Sequence, residues 1–83
     1  MKRPKLKDMT PIENARFRTM QARRAAQRAL EFAATCGELS YAEQRHVAWA
    51  GTVIAITKPS WIAAASLPDL KSAMHKIRHD PNN

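Results

Sequence analysis

The sequence predicts an all-α domain: a small bundle of three to four helices, with a long basic first helix in an antiparallel hairpin with a buried second helix. Three observations carry this reading. Thr10-Pro11-Ile12-Glu13, Ser40-Tyr41-Ala42-Glu43 and Ser66-Leu67-Pro68-Asp69 each resemble a helix start, with a hydroxyl able to accept from free amides and an acid three residues on. Only two glycines occur among 83 residues and alanine is abundant, a composition that favours helix. The β-branched residues gather between Val47 and Thr57, and a strand over Thr52 to Thr57 would find no partner strand.

The first helix is expected from Thr10 to Gly37, about 26 residues and roughly 39 Å long. Pro11 suits the first helical position, and Gly37 suits the left-handed turn that ends many helices. At 100° per residue, Ile12, Ala15, Thr19, Ala22, Ala26, Ala29, Leu30, Ala33 and Cys36 share one side, the expected packing face. Arg16, Arg23, Arg24, Gln27, Arg28 and Glu31 fall opposite, and Phe17 and Met20 stand among these arginines. A globule of this size is roughly 30 Å across, so the first turns of so long a helix are expected to project.

Gly37-Glu38-Leu39 links this helix to a second, Tyr41 to about Thr57. Its first half is polar and its second half, Val47 to Ile56, is apolar on nearly every side, so the latter is expected at the centre of the fold. Gly51 there suggests a close helix crossing. Lys58-Pro59-Ser60 ends the helix, and Ser60 is expected to cap a short turn over Trp61 to Ala65. Leu67, Leu70, Met74 and Ile77 recur at helical spacing to about His79, with Lys71, Lys76 and Arg78 in solvent. The last helices are expected to close over Val47, Trp49, Val53, Ile54 and Ile56. Pro68, at a helix start, is expected to be trans.

The domain organisation follows: residues 1–9 as a mobile basic arm, and residues 10–83 as one helical domain. Such a chain buries a core near the lower limit for independent stability, so a homodimer is a candidate for completing it. No uninterrupted apolar run long enough for a membrane span is present, and an alanine-dominated face argues against an amphipathic membrane-surface helix. The basic start lacks the apolar core of a secretory signal. Cys36 is the only cysteine, which fits a reducing cytoplasm.

Charge is the main functional signal. Residues 1–28 hold nine basic side chains against two acidic ones, and residues 29–83 hold five of each, so the formal excess of +7 belongs to the first third. Lys2, Arg3, Lys5, Lys7, Arg16, Arg23, Arg24 and Arg28, with Phe17 and Met20 among them, form the candidate binding set. Arginine donates bidentate bonds to phosphate, and released counterions favour association, so nucleic acid is the expected partner of a non-enzymatic regulatory module. The alternative is a small inhibitor or adaptor that docks Phe17, Met20 and neighbouring arginines on an acidic, partly apolar protein surface. Compactness and basicity without enzyme motifs recur among small regulators of phages and plasmids, with no shared motif attached.

Other constellations are thin. His75 and His79 have the spacing of two metal ligands on one helix face, but no motif supplies a third, so no cofactor or metal is expected. Cys36 falls on the packing face, where a thiol acts as a small hydrophobe. No phosphate loop or acid–base pair occurs, so no enzyme is expected.

Overall fold

The computed structural model describes residues 8–78, which form four α-helices and no strand. Helix α1 spans Pro11–Thr35, α2 Tyr41–Ile56, α3 Pro59–Ala64 and α4 Leu67–Arg78. The first two capping boxes form as the sequence requires. The Thr10 and Ser40 hydroxyls accept from the Glu13 and Glu43 amides, and each glutamate accepts from the cap residue's own N–H. At the third start, the Asp69 amide donates to Ser66 Oγ at 3.4 Å. Among the described residues all peptide bonds are trans, that before Pro68 included.

Some local expectations need correction. Gly37 does not take a left-handed conformation: α1 ends when Cys36 turns extended, its N–H still bonding to Phe32 and Ala33 carbonyls. Ser60 lies inside α3 rather than capping it, because Pro59 starts the helix after Lys58. Gly51 is exposed, and nothing lies within 4 Å of where a Cβ would sit, so it marks no crossing. Thr52 to Ile56 is helical, as the expected second helix to about Thr57 requires.

The expected packing face of α1 is the observed one: Thr19 and Ala26 are fully buried, and Ile12, Ala15, Ala22, Ala29, Leu30, Ala33 and Cys36 are half-buried. Two cores share this face. Toward the C-terminal end, Ala22, Ala26, Ala29 and Leu30 pack with Ala50, Val53, Trp49 and Ile77. Toward the N-terminal end, Ile12, Ala15 and Met20 pack with Ile62, Ala65, Leu70 and Trp61. The first turns therefore do not project. The described residues extend 43 × 31 × 21 Å instead of rounding into a globule, and α3 and α4 cover the N-terminal half of α1.

This arrangement also corrects the expected centre. Helix α4 packs chiefly on α1 and less on α2; Ile77 and Met74 still reach the core that holds Trp49, Val53, Ile54 and Ile56, so the last helices close over α2 only in part. Ala48, Gly51, Thr52 and Ala55 remain exposed, and the apolar run Val47 to Ile56 is buried on one side only. Apolar composition on every side had no period from which to choose a face, and the fold supplied partners for just one.

Candidate nucleic-acid interface

The arginines of α1 divide according to what covers the helix beside them. Arg23 stands where α2 ends and α3 begins, and its Nη1 donates to the carbonyls of Ile54 and Thr57, each at 3.0 Å. Those carbonyls lie at the helix end that lacks intrahelical donors, so Arg23 caps α2 and its charge also opposes the negative end of the helix dipole. Arg16 is half-buried, with its Nε covered and without a hydrogen-bond partner. Met20 packs against the second core, so it belongs to the fold's interior and the expected pair of apolar anchors is reduced to Phe17, which is 36% exposed. Arg24 and Arg28 are exposed. Lys2, Arg3, Lys5 and Lys7 lie outside the described residues.

A residue absent from the expected set organises the site. Positions 14, 18, 21, 25, 28 and 32 are spaced alternately by four and three, so they form one stripe along α1. At its N-terminal end this stripe and α4 bound a groove of about 470 Å³. Arg18, Lys71, His75 and Arg78 line it above a floor that includes Pro11, Ala15, Leu67 and Met74, and the lining holds no carboxylate among the described residues. Arg18 Nε donates to Asn14 Oδ1 at 2.8 Å, one turn back. That bond orients the guanidinium without using its two terminal nitrogens, the pair suited to a phosphate. On α4, positions 71, 75 and 78 share a face, and the last turn's cations also complement the helix dipole.

At the other end of the same stripe, α1 and α2 bound a second groove, about 480 Å³, lined mainly by apolar groups. Phe32, Leu39, Ala42 and Val47 contribute to it, with Arg28, Glu43 and His46 at polar positions. Phe32 is 55% exposed there. Trp49 connects the two grooves: its indole N–H donates to the Ile77 carbonyl at 3.1 Å, beside Arg78, and His46 stacks on its ring with centroids 5.1 Å apart. Basic and apolar grooves thus adjoin on one face.

Sequence reasoning missed Lys71, His75 and Arg78 because a net charge of zero over residues 29–83 hid a local excess, and it left Arg18 out of the binding set although Arg18 belongs to the basic first third. The acids among the described residues that offset the sum lie elsewhere; Asp69, for example, lines a different groove with Trp61 and Lys76. The spacing 71, 75, 78 was the available signal. The two capping glutamates are held below their ordinary value of 4.5, Glu13 mainly by the Thr10 hydroxyl bond and Glu43 mainly by the Ser40 amide. Both stay anionic near neutrality, but each is committed to a helix start.

Among the described residues, no cluster of His, Cys, Asp and Glu is arranged to hold a metal ion, and His79 lies outside them. No described helix is long and apolar enough to cross a membrane. Comparison with known proteins finds no matching family model, no similar curated sequence and no similar solved structure.

Proposed function

We propose that the chain is a non-enzymatic module that binds nucleic acid through the face carrying Arg18, Lys71, Arg78 and Arg28. The observation that carries the reading is the groove between α1 and α4, in which cations from two helices converge around an oriented arginine and no carboxylate among the described residues joins the lining. Convergence matters because isolated surface cations serve solubility equally well, whereas several within one concavity raise the local potential and attract a polyanion. Residues 1–7 add four basic side chains and lead by sequence toward Pro11 at the edge of this groove.

The salt dependence of binding tests this. With about five phosphate contacts, log affinity should fall with log salt at a slope near −4 to −5, and replacing Arg18, Lys71 and Arg78 with glutamine should flatten it by about 2 to 3. Arg23→Gln should leave the slope unchanged, since that guanidinium is engaged by α2. Undetectable binding to duplex and single strands at low salt would remove the reading. Docking on an acidic protein surface through exposed Phe17 would then be the one to pursue.

A further inference from the structure

Resting on the nucleic-acid reading above, we infer that the ligand is a single strand: its phosphates occupy the basic groove, and one unstacked base lies against Phe32 in the apolar groove. Both grooves are concave seams between helices. A duplex groove is entered by a protruding helix or ribbon, whereas a concave cationic seam follows the backbone of one strand. Single-strand sites combine such a seam with an aromatic platform, because every base has a face that stacks.

Both parts lie along one stripe of α1. Arg18 and Phe32 are fourteen positions apart, about 21 Å along the helix axis, a span suited to the strand of roughly four or more nucleotides that a compact site covers. The apolar groove has the chemistry for a base: an exposed ring, Leu39 and Val47 beside it, and Arg28 and His46 among its polar lining. Glu43 also lines it, but one carboxylate oxygen accepts from the Ser40 N–H at 2.9 Å.

Other occupants fit less well. Residues 79–83 are His-Asp-Pro-Asn-Asn, and Leu6 stands between Lys5 and Lys7, so these two segments are poor in apolar side chains for the groove. A second copy would bring another +7 toward a face already rich in cations.

Fluorescence anisotropy at low salt tests the inference, using a labelled oligodeoxythymidine of about 15 nucleotides and a duplex of the same length, which exceed a compact site. The strand should bind about tenfold more tightly than the duplex. Phe32→Ala should weaken the strand about tenfold and leave the duplex unchanged. Phe32→Leu, which keeps apolar volume without a ring, should show the same loss, and Phe32→Trp should retain affinity. Arg18→Gln should weaken both probes. Equal duplex binding with Phe32 variants silent would overturn the single-strand inference and leave the nucleic-acid reading intact. A wild-type dimer that Phe32→Ala converts to monomer in sedimentation would assign the groove to a second copy and also overturn it. Failure of both probes to bind would remove the two together.

Discussion

The two halves of α1 bury the same kind of face and present different edges. In the N-terminal half, alanine and Ile12 meet Leu70 and Ile62 from α4 and α3. In the C-terminal half, Ala26 meets Ala50 and Val53 of α2, both residues of that alanine pair being fully buried. Small side chains let helices approach closely but bury little area each. The α1–α2 contact at Ala26 and Ala50 therefore depends on proximity, with larger residues such as Trp49, Leu30 and Ile77 around it, whereas the N-terminal core centres on the fully buried Leu70. Along their shared outer edge, the first half carries Arg18 and the second Phe32. One helix stripe becomes a basic or an apolar groove according to the helix placed beside it.

The largest expected effect tests the core contrast. Leu70 is fully buried, and Leu70→Ala should destabilise the domain by about 3 to 5 kcal/mol, combining lost transfer energy with the cavity left behind. Val53→Ala removes less volume and should cost about 2 kcal/mol. Urea unfolding of the two variants gives the comparison. A larger loss for Val53→Ala would place the dominant core between α1 and α2 instead.

A smaller effect separates the arginines that build the fold from those presented to solvent. Arg23→Met leaves the Ile54 and Thr57 carbonyls without the guanidinium and should cost about 2 kcal/mol. Arg24→Met, on the exposed side of the same helix, should stay within about 0.5 kcal/mol. Equal costs in urea unfolding would show that the Arg23 capping bonds contribute little, leaving that side chain available to a ligand.

Local chemistry was the legible part of this chain. Thr10, Ser40 and Ser66 announce three helix starts because capping needs only neighbours in sequence, and the alanine periodicity of α1 identifies its packed face. Partnership between helices was not legible. Met20 lies opposite the alanine face by angle, yet α3 and α4 reach round to cover it, and Arg23 gains its role only because α2 ends beside it. The basic groove depends on placing Arg18 against Lys71 and Arg78, residues more than fifty positions apart, which no local pattern encodes. Phe32 was overlooked for a related reason: the groove that it lines exists only where α2 stands beside α1.

The smallest expected effect sharpens the comparison through pH. Glu13 and Glu43 open the helices of the two halves, and in both the folded-state pKa lies below 4.5. The folded state thus binds these protons less readily than the unfolded chain. Their contribution is fully present above about pH 5, and it is lost as pH falls below 4.5 through the folded values. Glutamine can accept a cap bond but carries no charge. The urea midpoint of the wild type should therefore exceed that of Glu13→Gln or Glu43→Gln at pH 6, with the difference shrinking as pH falls toward 3. The causes differ in one respect: Arg16 also lowers Glu13 by charge, whereas hydrogen bonds to Ser40 alone lower Glu43. Salt screens exposed charges and leaves hydrogen bonds largely intact. Added salt at pH 6 should accordingly narrow the Glu13→Gln difference more than the Glu43→Gln difference. Equal narrowing would mean that Arg16 contributes nothing measurable to Glu13, and that the two helix starts are held by the same forces despite the different cores they lead into.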